Sequence, residues 1–311
     1  MDYRTRIKIA RRLVRIAKEI IALEFDNMED YRNYPHEIRD TTDVYIDGKL
    51  VQKGVDESLD ADTEKFFVRN ESGNFELIDD GKEPPDYHRY TFEERKHYVK
   101  DGVSDLSPEE NAKWEKQCVE DVEKTNPGIA EKAAHEYNSF NAIEKDVLKA
   151  YTLRDWYDLN KGHYRVSIGQ QEKLKGEQLY ESIRLHRVLK KLPKYNGTVY
   201  RGMNFPDDMS LNNFKKSWKK GNSPLTGFVS TTYNPENYGL YLDEEQKHCV
   251  IRIVNSTQGH YIGHLSHTPR DEEVLFDCNQ RFMLIDGNDK SGYSPIEEKN
   301  DVTIITVRET N

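Results

Sequence analysis

Three residue groups, far apart in the chain, are of types that could do chemistry together. They are Arg201 in Thr-Val-Tyr-Arg-Gly, Ser230-Thr231-Thr232 closing Gly-Phe-Val-Ser-Thr-Thr, and Glu273 in Asp-Glu-Glu-Val-Leu-Phe. Each sits beside a run of β-forming residues. An arginine followed by glycine offers a planar donor fork suited to phosphate, with room for a ligand to approach the backbone. A carboxylate on an otherwise apolar strand is costly unless it is paired or used. In this order the three groups would hold a dinucleotide by its phosphates and face a ribose that becomes positively charged. Strand alternation would put Asp271 and Glu273 on one face and Glu272 on the other. Taken singly, each group has a plainer reading: a strand-end ion pair for Arg201, turn capping for the hydroxyls, and a solvated acidic turn for Asp271–Glu273. Their order along one chain favours the site.

The elements that must position these residues follow from periodicity. Strands are expected at Val199–Arg201, Gly227–Thr231, Cys249–Val254, Glu273–Phe276, Arg281–Ile285 and Val302–Val307, with Gly287–Lys299 a polar loop. Helices are expected from Ser107-Pro108-Glu109-Glu110 to about Lys124, from near Ile129, over Ser139–Tyr151, over Glu172–Leu192 and over Ser210–Lys220. The pattern, helices followed by strands, is that of an α+β fold. Ahead of it, Asp43–Gln52 carries the hairpin signal Asp47-Gly48, and Lys65–Ile78 reads as a second hairpin. Arg4–Glu24 reads as a basic amphipathic helix, with Ile9, Leu13, Ile16, Ile20 and Leu23 on one face and Arg6, Lys8, Arg11, Arg12, Arg15 and Lys18 around it. That helix is docked by its apolar stripe, serves as a targeting or packaging tag, or touches an anionic surface.

Composition narrows the class. The 311 residues carry a net charge of −10, which argues against bulk binding to nucleic-acid phosphates. Three widely spaced cysteines, with no Cys-x-x-Cys pair, argue against a disulfide framework and a structural zinc, and favour a reducing compartment. No apolar run approaches the roughly 20 residues needed to span a bilayer.

From about Ser139 to Arg308 the chain resembles the arginine–serine–glutamate class of mono-ADP-ribosyltransferases, in particular the bacterial exoenzyme toxins of the actin-modifying and clostridial binary type and their phage relatives. The resemblance is carried by Thr198–Met203, by Gly227–Thr232, and by Glu272–Phe276 followed by Arg281–Ile285. Leu148–Arg165 is similar to the helical segment that this family places over the nicotinamide side. The resemblance implies a mixed β-sandwich core with N-terminal helices over residues 139–311, preceded by a small helix and hairpin region over residues 1–138 of unassigned role. It further implies NAD as cosubstrate, no metal, and transfer of ADP-ribose to a host macromolecule with release of nicotinamide.

Residue roles follow from the same resemblance. Arg201 would clamp the NAD phosphates and Gly202 would offer its backbone to the carboxamide. Ser230 would hold the glutamate and the ribose, with Thr231 and Thr232 shaping the strand end. Glu273 would stabilise the oxocarbenium ion, and Tyr157, Asn160 and Arg165 would complete the dinucleotide pocket. The physics agrees, because a fixed carboxylate stabilises a positive charge present only in the transition state. Nicotinamide leaves as a neutral group and needs no general acid. The chain departs from the family at Asp271, where arginine-modifying members carry glutamate. A protein arginine is the favoured acceptor, with another side chain or an RNA end as alternatives. The loop His264–Arg270, expected to meet the target, lacks the usual aromatic residue, with His267 nearest to one. A setting in the host cytoplasm, after delivery or packaging in a virion, is expected. An NAD glycohydrolase and a non-catalytic relative remain the alternative readings.

Overall fold

The computed structural model describes residues 107–167, 176–218, 223–242, 246–286, 292–299 and 301–310, with Leu174. Within the first 81 residues it describes five short strands, Asp79 and Gly81. Those strands are β1 (Leu23–Phe25), β2 (Val44–Ile46), β3 (Lys49–Gln52), β4 (Phe67–Arg69) and β5 (Phe75–Leu77). Both expected hairpins form, β2 with β3 and β4 with β5. The helix expected over Arg4–Glu24 lies outside the described residues except at its end. There Leu23–Phe25 is a strand, paired in parallel with β2.

The helices start where their caps dictate. In α1 (Pro108–Thr125) the Ser107 side chain and Glu110 satisfy each other's backbone N–H groups as a capping box, and proline occupies the first turn. Gly128, at φ 78°, turns the chain into α2 (Ile129–Ser139) but has no side chain to cap it. The Glu123 carboxylate serves instead, accepting from the Gly128 and Ala130 N–H groups. A second capping box, Asn141 with Glu144, opens α3 (Ala142–Ala150). One π-helical turn, Tyr151–Asp155, joins α3 to α4 (Trp156–Ser167), and α5 (Gly176–Lys191) follows. The expected stripe on α5 is buried: Leu179, Ile183, His186 and Leu189 all face the core.

The remaining strands are β6 (Gly197–Phe205), β7 (Val229–Thr232), β8 (Lys247–Ser256), β9 (His260–Tyr261), β10 (Glu273–Phe276), β11 (Arg281–Leu284), β12 (Ile296–Lys299) and β13 (Val302–Thr310), with α6 (Asp208–Ser217) after β6. They form one eight-stranded mixed sheet in the order β11-β13-β8-β6-β7-β10-β9, with β12 also on β13. The α+β class holds. Two strands lie outside the expected set. The two-residue β9 is too short to show a period. The other, β12, sits within the stretch expected to be a polar loop, Gly287–Lys299. Its four residues pair with Val302–Ile305 and draw their order from that neighbour rather than from apolar content of their own.

The central ladder β6–β8–β13 sends one row of apolar side chains into the core. Val199, Cys249, Ile251, Ile253, Ile305 and Val307 are each fully excluded from solvent. The same core takes in Cys118, Val122, Ile129, Ala130 and Ala133 from α1 and α2, and Leu77 from β5. Leu77 exchanges two hydrogen bonds of 2.8 Å with the Asn279 side chain, and Asp79 accepts from the Arg187 guanidinium.

Beyond β6 the ladder changes character. β6 makes eight registered pairs with β8 but only one with β7, Tyr200 opposite Thr232. The sheet therefore parts between β6 and β7, and the gap it leaves is where the chemistry-bearing residues collect.

Candidate active site

The start of β7 is fixed from outside the sheet. Gly227 has φ +74°, and a Cβ added there would lie 2.5 Å from Asn160 Oδ1 and 3.1 Å from His163 Cβ. Only glycine satisfies both conditions. Asn160 on α4 accepts the Phe228 N–H at 2.8 Å and donates to the Tyr151 hydroxyl at 3.3 Å. That hydroxyl lies 3.3 Å from Ser230 Oγ and 3.4 Å from the Phe228 carbonyl. Burial, reinforced by the nearby charge of Glu273, drives the tyrosine's acidity far below normal, so it remains protonated. The π turn and α4 together set the position of Ser230.

Across the parted sheet, Arg201 Nη1 donates to the Ser230 carbonyl at 2.8 Å. A side chain thus takes a carbonyl that a continuing β6–β7 ladder would have engaged. The Thr231 hydroxyl donates to the Val274 carbonyl at 2.6 Å, and Thr232 Oγ1 accepts from the Asn234 N–H. Both hydroxyls tie β7 to its surroundings.

Glu273 opens β10 opposite Thr232 and is 7% exposed. Its carboxyl is pushed up to about 7. Burial is the largest cause. A hydrogen bond from Ser230 opposes it, the charge of Asp271 adds to it, and Arg201 opposes it again.

Asp271 reaches the same pocket by a route other than strand alternation. Pro269–Asp271 is a 3₁₀ turn and Glu272 is left-handed, at φ 49° and ψ 51°. The strand begins only at Glu273. The turn swings Glu272 inward, where its buried carboxylate accepts from Asn237 Nδ2 at 2.6 Å. Asp271 and Glu273 are left facing one cavity.

That cavity is about 320 Å³, within the usual size range for small-molecule sites. It is lined by Tyr151 and Thr152, by β6 from Tyr200 to Asn204, by Ser230–Thr232, and by Asp271 and Glu273. Arg201, Gly202, Ser230, Thr231, Thr232, Asp271 and Glu273 from the sequence reading therefore meet in one place. Asn160 stands behind the wall, holding the entrance to β7. Arg165 is in the last turn of α4, away from the lining. The side chain of Tyr157 lies outside the described residues.

Sequence reasoning missed Tyr151, Thr152, Tyr200, Met203 and Asn204. Tyr151 follows Val147 and Leu148 at helical spacing, which marks it as core and hides its hydroxyl. Thr152 follows it on the π turn, and Tyr200, Met203 and Asn204 belong to β6, which runs further at both ends than Val199–Arg201. Alternation of Val199, Arg201 and Met203 was the available signal.

Residues 111–310 match the family model described as ADP-ribosyltransferase exoenzyme. The chain belongs to this family and is an NAD-dependent mono-ADP-ribosyltransferase. No curated protein sequence matches it. Among solved structures, the Vis toxin of Vibrio splendidus is 21% identical, with TM-score 0.42 over 68% of this chain and 90% of its own. The C3 exoenzyme of Clostridium limosum is 16% identical, with TM-score 0.44 over 61% and 95%. Plx2a, a toxin from Paenibacillus larvae, is 17% identical, with TM-score 0.42 over 61% and 97%. Among the described residues no group of three or more His, Cys, Asp or Glu could hold a metal ion, and no helix is long and apolar enough to cross a membrane.

Proposed function

We propose that this enzyme transfers ADP-ribose from NAD to an arginine of a host protein and releases nicotinamide. The observation that carries the reading is the meeting of Arg201, Ser230, Glu273 and Asp271 in one pocket, with Glu273 almost wholly buried. In this reading Arg201 holds the NAD phosphates and the Gly202 backbone meets the nicotinamide carboxamide. Ser230 keeps Glu273 in place through a hydrogen bond. The ribose C1–nicotinamide bond breaks, and nicotinamide leaves as a neutral base with the bonding electron pair. Ionised Glu273 stabilises the cationic ribose that results. A guanidinium nitrogen of the acceptor then bonds to C1 and gives up one proton.

Glu273 acts in a site with little water, where a fixed charge is worth most. Asp271, on the adjoining turn, supplies the charge that orients the incoming guanidinium. Asn160 acts through β7 rather than on NAD, and Tyr157 and Arg165 extend the dinucleotide site. The net charge of −10 favours a protein over an RNA acceptor. The expected place of action is the cytoplasm of a host cell.

The test incubates the purified chain with labelled NAD, with and without agmatine, a small guanidine bound in one Vis structure. Nicotinamide release and labelled agmatine are measured together. Label on agmatine that vanishes in Glu273→Ala supports the reading. Rapid nicotinamide release with none of the label on agmatine or on host-lysate protein would make the enzyme an NAD glycohydrolase.

A further inference from the structure

Asp271 is held by a hydroxyl that none of the roles above uses. Thr268 precedes the turn Pro269–Asp271, at the position where a threonine ordinarily caps a backbone N–H. It makes no such side-chain cap. The Asp271 N–H is taken by the Thr268 carbonyl at 3.0 Å, and the Thr268 hydroxyl donates to Asp271 Oδ2 at 2.7 Å.

Thr268 is itself fixed on the other side. Its N–H donates to Ser266 Oγ at 3.1 Å. The N–H of His267 donates to Thr152 Oγ1 at 2.9 Å, and the Thr152 hydroxyl donates to the Lys149 carbonyl at 3.1 Å. Thr152 lines the pocket beside Tyr151, whose hydroxyl sets Ser230. Hydrogen bonds therefore tie the loop carrying Asp271 to the same π turn that seats the glycosidic chemistry.

We infer that Thr268 is a positioning residue for the transfer step, fixing the Asp271 carboxylate where an acceptor guanidinium meets it, with Thr152 as the loop's anchor. The inference rests on the reading of Asp271 as the acceptor-orienting group. A competitor gives the lock its purpose. Arg270 Nε lies 3.8 Å from Asp271 Oδ1, beyond hydrogen-bond length, on a half-exposed side chain. Without the Thr268 hydroxyl, rotation of the short aspartate side chain would let Arg270 close that distance. The carboxylate would then be occupied by the enzyme's own guanidinium. Glu273 is held by the strand and by Ser230, so NAD cleavage does not depend on this lock.

The test compares Thr268→Val, which keeps the shape and removes the hydroxyl, with Thr268→Ser, which keeps the hydroxyl. ADP-ribosylagmatine and free nicotinamide are measured on the full chain over a range of agmatine concentrations. Thr268→Val is expected to raise KM for agmatine about tenfold and to lower the product formed per nicotinamide released. Its nicotinamide release without acceptor should stay within about twofold of the unaltered chain. Thr268→Ser should restore the ratio, and Thr152→Val should shift it in the direction of Thr268→Val. Thr268→Ala gives the same readout if the valine variant does not fold. An unchanged ratio in Thr268→Val overturns the inference, as does an equal fall in both activities, which would assign Thr268 a merely structural role. If the unaltered chain does not modify agmatine at all, the arginine-acceptor reading falls and takes this inference with it.

Discussion

Glu273 and Asp271 are two carboxylates in one pocket, two positions apart, held by opposite means. Glu273 belongs to a ladder: it is the first residue of β10, opposite Thr232, and is almost wholly buried. Asp271 belongs to a turn, is only partly buried, and accepts a hydrogen bond from a threonine hydroxyl of the same loop. A strand cannot move one residue without moving its neighbours, whereas a turn of this kind can vary without disturbing the sheet. The contrast suits the proposed division of labour, in which Glu273 on the ladder serves the breaking of the glycosidic bond and Asp271 on the turn serves recognition of an acceptor.

The sharpest way to break this comparison is Glu273→Gln. Nicotinamide release is expected to fall about a thousandfold, equivalent to roughly 4 kcal/mol of transition-state stabilisation, with transfer falling in parallel. A variant that loses only transfer would erase the distinction between the two carboxylates.

The same substitution has a stability consequence whose sign differs from the effect on activity. The folded carboxyl sits at about 7 against an ordinary value of 4.5, so over that interval the folded state binds more protons than the unfolded chain. The contribution is fully present below the lower value and is lost as pH rises through about 7. The cost at pH 8 is on the order of 3 kcal/mol. Glu273→Gln should therefore melt above the unaltered chain at pH 8, with the gap closing by pH 4. Nicotinamide release by the unaltered chain should rise through the same interval, because the ionised form does the work.

Gly227→Ala tests the support of the ladder rather than its charge. Positive φ and a 2.5 Å approach to Asn160 Oδ1 should together cost about 2 kcal/mol, seen as a lowered urea midpoint with loss of activity at intermediate urea.

The smallest expected effect belongs to the turn. Asp271→Asn should lower transfer to agmatine about tenfold, the scale of one charge-assisted hydrogen bond, while most nicotinamide release survives. Equal loss of both activities would mean that the turn carboxylate shares the work of the strand.

Legibility followed the same divide. Residue type and β pattern together marked Arg201, Ser230 and Glu273, because a polar group in an apolar run demands an explanation. Asp271 was read onto the correct side for an incorrect reason. Strand alternation was invoked where a 3₁₀ turn and a left-handed Glu272 do the work, and left-handed glutamate has no reliable sequence signal. Tyr151 was invisible as a polar residue because helical spacing explains it fully as core. Asn160 was noticed, but its task of capping the Phe228 N–H depends on a neighbour far along the chain. Arg165, chosen by spacing within a motif, stands in the last turn of α4, outside the residues that line the cavity.

What the amino-acid order determined unaided was local: caps, hairpins, strand segments, and the few polar groups that apolar runs could not absorb. Which of those groups share a cavity was decided by the tertiary structure, through the single pair between β6 and β7 that lets the sheet part. The reason is physical. Local preferences act over a few bonds, whereas at the gap Arg201, Asn160 and Tyr151 reach from far along the chain to the backbone groups of Ser230 and Phe228.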